Sequence, residues 1–465
     1  MYNEGTIIAL SSPPGSGAIA IIRLSGDDAI SKTDLFFKSK SGKKLSESSG
    51  YSISYGDLID KDEVVDEVVV SVYKAPHSYT GENVIEISCH GSNYIQQRIL
   101  TLFTDAGVRL ASPGEFTLRA YLNNKKDLSQ AEAVGDLIAS ESKEEHRVAM
   151  EQMRGGYSDE IEVLREKLIH FKSLIELELD FSEEDVEFAN RSDLKTLLDE
   201  LDGKLSSLIE SFTYGNVIKE GVTVTIAGKP NAGKSSLLNA IVNEDKAIVS
   251  NIPGTTRDTI EDVTTINGVK YRFIDTAGIR ETSDEIESIG VARAKSKIDS
   301  SRILIYLFDR SDITEKELLK EVKSYLREDL QVYLVENKID LLNNSNTDTY
   351  KDKIKSLINE ENVTFYRISA LDSSLVLGLK ELISKNLKLS SQSNIIITNS
   401  RHLEALNNSL KAIESVKKGL KEGLSGDLLS IDLNEAIINI SIITGKIDID
   451  KDILGSIFSK FCIGK

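Results

Sequence analysis

The sequence predicts a multidomain chain: an α/β phosphate-loop domain with a mostly parallel sheet, inserted into a helical domain, with an α+β domain ahead of both. Three observations predict this. Residues 228–235 read Gly-Lys-Pro-Asn-Ala-Gly-Lys-Ser, between a strand pattern and a helix pattern. Helical patterns of similar texture stand on both sides of the region that contains this loop. The chain has 465 residues, more than one hydrophobic core organises. The expected domains are 1–120, 121–217 with 386–465, and the insert 218–385. Insertion at an exposed loop is tolerated because domain termini often lie close together.

Composition narrows the function classes. The net charge is −18, so the chain as a whole is not a generic binder of polyanions, although a local basic patch or a partner that supplies one is compatible with RNA contact. Only Cys89 and Cys462 occur, which is no disulfide scaffold and fits a reducing compartment. No basic-then-apolar leader and no run of 18 apolar residues is present, so a soluble, cytoplasmic protein is expected.

In order along the chain, residues 6–10 and 18–24 read as strands joined by the turn-rich 11–17, followed by β-prone runs at 64–73 and 84–89. A helix is expected over 94–106, and the punctuated stretch 76–83 reads as a loop. In that loop Glu82 can accept hydrogen bonds from a ring with adjacent N–H donors, and Arg23 at a strand end can meet an acid. Residues 128–153 carry few breakers and read as one helix, stopped by Gly155-Gly156. A second helix is expected to about Leu179. The acidic residues 176–187 then read as a solvated helix end rather than a metal site. A third helix, 194–212, is expected to end at Thr213-Tyr214-Gly215-Asn216.

The insert carries the chemistry. Residues 222–227 read as a buried strand. Gly228 and Gly233 allow consecutive backbone N–H groups to face an anion, and the following helix adds its positive end. Asn231, Ala232, Gly233, Lys234, Ser235 and Ser236 would wrap the phosphates. Lys234 reaches the β- and γ-phosphates and Ser235 holds Mg²⁺. The strand 271–275 ends in Asp275, placed for the Mg²⁺ shell, and leads into Thr276-Ala277-Gly278, whose last N–H can sense the γ-phosphate. Residues 301–308 and 331–335 are further buried strands. The second runs into Asn337-Lys338-Ile339-Asp340, where the Asp340 carboxylate can pair with the guanine N1–H and 2-amino group, donors that adenine lacks. Ser369-Ala370-Leu371, after the run 365–368, can face the guanine O6. This order predicts a Ras-like domain that takes GTP rather than ATP.

Between these motifs lies Ser250-Asn251-Ile252-Pro253-Gly254-Thr255-Thr256-Arg257-Asp258, where the Thr256 hydroxyl can complete the Mg²⁺ shell. Ile279 and Arg280 follow Gly278, so a glutamine that orients water is absent there, and Glu287 is a candidate for that task. Charge on the γ-phosphate needs neutralising either by a Lys or Arg finger or by a monovalent cation held by Asn231 and carbonyls of 250–255. After the insert, residues 401–420 and 433–443 read as helices, with a short final helix over 450–458. The tail Phe461-Cys462-Ile463-Gly464-Lys465 superficially matches a prenylation box, but Gly464 and Lys465 fit it poorly.

Taken together, the motifs at 228–235, 254–258, 275–280 and 337–340, the tail 461–465, and the N-terminal stretches 13–15, 22–26, 77–82 and 113–123 resemble the MnmE/TrmE family over essentially the whole chain. The resemblance implies a folate-binding and dimerising N-terminal domain, a helical domain and an inserted GTPase domain. It implies a homodimer that assembles with the flavoprotein MnmG (GidA), which carries FAD, and together they add an aminomethyl or carboxymethylaminomethyl group to C5 of wobble uridine U34 in certain tRNAs. A 5,10-methylene-tetrahydrofolate would supply the one-carbon unit. It implies K⁺ at Asn231, Ser250, Ile252 and Thr255, Mg²⁺ at Ser235 and Thr256, and water orientation by Glu287. Folate contacts would fall on Arg23, Glu82, Lys125 (with Lys126 adjoining) and Lys465, and Cys462 matches the family's tail cysteine. Ser16 stands where many relatives carry a basic residue. Two other classes share some features. A ribosome-assembly GTPase would need an RNA-binding module, and none is evident. A membrane-associated dimerising GTPase would need a lipid-binding amphipathic segment, so no stable membrane association is expected.

Overall fold

The computed structural model describes residues 5–180, 190–243, 261–275, 295–341, 361–386 and 396–447, together with 354, 356, 358, 454, 457–459, 461, 462 and 464. The chain divides into two compact units, one of Met1–Ala139, Val148–Ser206 and Ser400–Lys465, the other of Ser140–Arg147 and Ser207–Asn399.

The first unit opens with β1 (Ile7–Leu10), β2 (Ile19–Ser25), α1 (Ala29–Asp34), β3 (Phe37–Ser39), β4 (Ser52–Asp60), β5 (Glu63–Tyr73), β6 (Val84–His90), α2 (Asn93–Asp105), β7 (Arg109–Leu110) and α3 (Glu115–Leu122). The strands form one seven-stranded sheet in the order β3-β4-β5-β6-β2-β1-β7. All neighbours are antiparallel except β1 and β7. Alternate residues Ala20, Ile22 and Leu24, Val68, Val70 and Val72, and Ile85, Ile87 and Cys89 bury one face with Ile99 and Phe103 of α2. Strands β1, β2, β5 and β6 and helix α2 follow the expected patterns. β3, β4 and β7 carry weaker patterns and are seen only in the fold. In β4, Gly56 replaces an apolar residue because β3 comes close: a Cβ there would lie 2.2 Å from the Lys38 carbonyl oxygen.

Helices α4 (Leu128–Ala139), α5 (Lys143–Met153), α6 (Ser158–Asp180) and α7 (Arg191–Glu220) follow. The helix expected over 128–153 is in fact two. The break has a local cause: the Ser142 Oγ accepts from the Glu145 N–H at 3.2 Å, and the Glu145 carboxylate accepts from the Ser142 N–H at 3.0 Å. This reciprocal cap starts a new helix, and its Ser-x-x-Glu signature is in the sequence. The third helix also departs from expectation. α7 runs on through Gly215 to Glu220 rather than stopping at 213–216. A helical glycine costs about 1 kcal/mol relative to alanine, but here a Cβ would sit 1.9 Å from the Ile397 carbonyl oxygen, so the missing side chain makes room for a neighbouring backbone.

Near the C-terminus come α11 (Ser400–Glu422) and α12 (Gly426–Thr444), numbered after the helices of the second unit. α12 begins earlier than the expected Leu433, because Leu429 in its first turns finds space over Gly419, where a Cβ would lie 2.8 Å from it. Of the expected final helix, Leu454 and residues 457–458 are helical among the described residues.

The second unit holds β8 (Val222–Ala227), α8 (Lys234–Asn243), β9 (Glu261–Ile266), β10 (Val269–Asp275), β11 (Ile303–Phe308), α9 (Glu315–Lys323), β12 (Gln331–Glu336), β13 (Val363–Arg367) and α10 (Ser373–Asn386). The six strands run β13-β12-β11-β8-β10-β9. All pairs are parallel except β9 with β10. Every residue of β11 is buried, as expected of a parallel strand covered on both faces. One core lies against α8 and α10 and another against α9. β9 escaped the sequence reading, although its signal is present: Asn267-Gly268, with φ +51° and +82°, closes a two-residue hairpin to β10.

Candidate nucleotide site and N-terminal site

β8 lies between β11 and β10, and the loop after it meets the sheet where the chain order changes direction, the usual ligand crevice of an open α/β sheet. Two glycines shape that loop. Gly228 has φ +145°, and a Cβ would lie 1.9 Å from the Leu307 carbonyl oxygen. Gly233 has φ +97°, and a Cβ would lie 2.3 Å from Asn337 Nδ2. Asn231 takes the left-handed region at φ +60°, which asparagine tolerates better than most residues. The helix α8 begins at Lys234, so the loop ends on a helix N-terminus. Lys234 Nζ donates to the carbonyl oxygens of Gly228 and Lys229, each at 2.9 Å, which folds the ammonium back over its own loop. Ser235 and Ser236 are exposed on the first turn. A serine hydroxyl there suits Mg²⁺, a hard cation that takes oxygen ligands.

The segments expected to read the base converge on the same loop. Asn337 is buried; its Nδ2 donates to the Ala232 carbonyl at 2.8 Å, and its Oδ1 accepts from the Ala370 N–H at 3.0 Å. One side chain thus ties the phosphate loop to the Ser369-Ala370 segment. Lys338 stands at φ +60°, and its Nζ pairs with Asp309 Oδ2 at 2.9 Å. The hydrogen bond to Asp309 raises the Lys338 pKa, and Ser311 with Lys338 outweighs burial to hold the Asp309 carboxyl below its ordinary range. Asp340 lies exposed in the single turn Ile339–Leu341 that follows. Asp309 went unremarked in the sequence. An acid directly after a buried strand was its only signal.

Asp275 is the last residue of β10. The remaining nucleotide candidates Ser250, Asn251, Ile252, Pro253, Gly254, Thr255, Thr256, Thr276, Ala277, Gly278 and Glu287 lie outside the described residues, as does Lys465.

In the first unit, Arg23 on β2 meets an acid as expected. Its Nε donates to Glu86 Oε1 at 2.9 Å, and its Nη1 donates to the Gly464 carbonyl at 3.3 Å. Ser11 Oγ reaches the same carbonyl at 3.0 Å, so the tail lies against β1 and β2. The Arg23 guanidinium sits 5.6 Å from the centroids of both Tyr79 and Phe116. Lys126 Nζ lies 6.0 Å from the Tyr79 ring, and burial lowers its pKa. Lys125 instead passes along Gly81, where an added Cβ would lie 3.3 Å from its Cε. Glu82 accepts from Arg119 Nη1 at 2.9 Å and from Ser25 Oγ at 2.7 Å. It borders a cavity of about 320 Å³ with Thr6, Glu115 and Arg119. Arg23 and Glu82 therefore share the neighbourhood of β2 without touching. Arg119, the cation that holds Glu82, was not singled out from the sequence.

Cys89 is buried, and desolvation pushes its thiol up to about 11, which leaves it unreactive. Cys462 is exposed, and its carbonyl accepts from the Gly114 N–H at 3.4 Å. No helix among the described residues is long and apolar enough to cross a membrane.

Comparisons with known proteins agree with the motif order. The family model described as the GTP-binding protein TrmE N-terminus matches residues 6–125, and the one described as the MnmE helical domain matches 128–462. The curated tRNA modification GTPase MnmE of Flavobacterium johnsoniae is 48% identical over 471 residues, covering 100% of both chains. That of Christiangramia forsetii is 49% identical over 478 residues, again covering 100% of both. Among solved structures, Era in complex with MgGDPNP and a 16S ribosomal RNA fragment is 27% identical, with a TM-score of 0.29, over 41% of this chain and 66% of that one. A likeness that slight leaves the fold assignment to the strand order.

Proposed function

We propose that this chain, which belongs to the MnmE family of tRNA modification GTPases, hydrolyses GTP to drive modification of C5 of wobble uridine U34, acting with the flavoprotein MnmG. The observation that carries the GTP reading is Asn337, which joins the phosphate loop to the base-reading segment. In the proposed reaction water adds to the γ-phosphorus, the bond to the bridging oxygen breaks, and GDP and phosphate leave. Lys234 and the loop N–H groups bind the phosphates, while Asp340 and Ser369-Ala370 select guanine. Ser235 and Thr256 would hold Mg²⁺. Asn231, Ser250, Ile252 and Thr255 would hold K⁺, which when bound supplies positive charge beside the transferring phosphoryl group. Glu287 would orient the water. Thr256 and Gly278 would report the γ-phosphate to the rest of the chain.

Carbon transfer occurs elsewhere in this reading. A three-part organisation, with residues 1–120 as the folate-binding and dimerising domain, 121–217 with 386–465 as the helical domain and 218–385 as the GTPase insert, separates the two chemistries. Arg23, Glu82, Lys125 and Lys465 would hold the folate, with Lys126, like Arg23, near the Tyr79 ring. The pair of cations fits the carboxylates of a folate and the Glu82 carboxylate fits its ring N–H donors. Arg23→Ala is expected to weaken 5-formyl-tetrahydrofolate binding at least tenfold by titration calorimetry; unchanged binding would remove the folate from this site. The protein is proposed to act as a cytoplasmic homodimer, with the FAD carried by MnmG. Cys462 is exposed at the tail, a position open to reaction.

The pathway is tested by nucleoside mass spectrometry of tRNA from cells lacking this chain. The C5-modified U34 nucleosides are expected to disappear. Their persistence at normal levels would reject the assignment.

A further inference from the structure

The sheet of the second unit ends, at its proposed guanine side, in two partly exposed arginines around a buried carboxylate, a cluster that none of the nucleotide motifs includes. Glu336 is the last residue of β12 and is fully buried. Its Oε2 accepts from Arg367 Nε at 2.9 Å. Its Oε1 lies 2.9 Å from Arg310 Nε, in an ionic contact that is off-line for a hydrogen bond. The three residues belong to neighbouring strand ends. Phe308, two residues before Arg310, pairs with Glu336 in the ladder, and Glu336 pairs with Arg367.

Each member stands next to a base-reading group. Arg310 follows Asp309, the partner of Lys338. Glu336 precedes Asn337. Arg367 precedes Ile368, Ser369 and Ala370. Backbone bonds carry the register onward: Asn337 N–H donates to the Phe308 carbonyl at 2.8 Å, and Ile368 N–H donates to the Glu336 carbonyl at 2.8 Å. Strand alternation sends the Asn337 side chain to the phosphate loop and the Glu336 side chain to the opposite face. The cluster therefore acts on guanine through the backbone and not by contact.

We infer that Glu336 is a positioning residue for guanine: its carboxylate, between two arginines on flanking strands, sets the spacing between the Asn337–Asp340 turn and the Ser369-Ala370 segment. Without it, the guanidinium groups of Arg310, just after β11, and Arg367, at the end of β13, lose the carboxylate they share. Like charges then push those ends apart. The two segments that grip the base separate, while the phosphate loop after β8 keeps its shape. The effect falls on affinity for the base and on KM, not on the chemical step. This inference rests on the reading of Asp340 as the acceptor for the guanine 2-amino group.

The test uses the full chain and four nucleotides. Hypoxanthine lacks the 2-amino group, so the ratio of the Kd for IDP to that for GDP reports how well this group is held. Glu336→Ala is expected to weaken GDP binding at least tenfold and to lower the IDP/GDP ratio at least threefold. KM for GTP rises while kcat at saturation stays within twofold. Glu336→Gln, which keeps one hydrogen bond to an arginine, gives an intermediate ratio and carries the test if the alanine variant fails to fold. An unchanged IDP/GDP ratio in a folded Glu336 variant overturns the inference, even if thermal stability falls. The wild-type chain and Asp340→Asn, measured with GDP, IDP and ADP, separate this outcome from failure of the guanine reading: a wild-type chain with no preference for GDP would reject that reading directly.

Discussion

Replacing Lys234 with alanine is expected to lower kcat/KM for GTP by about 10²–10³-fold, a loss of about 2.7–4 kcal/mol of transition-state stabilisation. The lysine already lies over the phosphate loop, held by the carbonyls of Gly228 and Lys229. A γ-phosphate would replace two neutral acceptors with charged ones, and the charge-assisted bonds are about twice as strong. Little rearrangement is needed, which is what preorganised electrostatic stabilisation requires. Both binding and chemistry should suffer, because the ammonium meets negative charge in the ground state and more of it as the bond breaks. Single-turnover hydrolysis with excess enzyme separates the two. A change of less than threefold in kcat/KM would mean that Lys234 does not face the phosphates.

The second large effect is on stability and lies in the first unit. Glu132 of α4 pairs with His402 Nε2 at 2.8 Å and with Arg401 Nη2 at 3.0 Å. His402 is fully buried, and its Nδ1 meets the Tyr157 hydroxyl. Gln152 Nε2 closes the cluster, donating to that hydroxyl at 3.3 Å and to the Ser129 carbonyl at 3.2 Å. Four helices, α4, α5, α11 and the start of α6, thus meet on one polar centre. Glu132→Ala removes the carboxylate that pairs with both Arg401 and His402. Breaking a buried pair in this way costs about 3–5 kcal/mol, because the other charge stays behind. Urea unfolding of the full chain should show a lower midpoint for this transition. A midpoint within error of wild type would show that the cluster contributes nothing net.

The same cluster sets a pH dependence. Burial lowers the His402 pKa below its ordinary 6.5, against the opposing pull of Glu132; Asp127 adds to that pull, and Arg401 works with burial. For Glu132, burial works upward, but His402 and Arg401 outweigh it and hold the carboxyl below its ordinary 4.5. Both groups therefore bind protons more readily in the unfolded chain. Stability is fully present at neutral pH, begins to fall below about 6.5 and falls further below about 4.5. A His402→Gln variant should lose the first of these slopes and keep a smaller second one, since Arg401 still pairs with Glu132.

Among the described residues, the backbone shape of the candidate phosphate loop was legible before the fold was known. Its residues sit in one short local motif, which works through backbone geometry that neighbouring letters dictate. Gly228, Gly233 and Asn231 take positive φ where the loop spacing calls for it. What the letters could not give is the pairing of distant residues. Glu82 with Arg119, Glu132 with His402, and Glu336 with Arg310 and Arg367 each join separate elements, and a charged residue looks the same in a sequence whether buried or solvated. The missed helix start at Ser142 and the missed strand β9 are different. Ser142 with Glu145 and Asn267-Gly268 carried their signals openly, but a long run of good helix formers and a run of Thr, Asp and Val concealed them. Gly215 misled in the other direction: a glycine is a helix stop only where nothing needs its space.

The most direct test of the central proposal is GTP turnover by the full chain in K⁺ and in Na⁺ buffers at equal ionic strength, with Mg²⁺ present in both. The expected result is a turnover at least tenfold faster in K⁺, with a Glu287→Ala variant that still binds GTP but is slow in either salt. Equal rates in the two salts would contradict the cation's part in hydrolysis, and full turnover by Glu287→Ala would contradict the assignment of that residue.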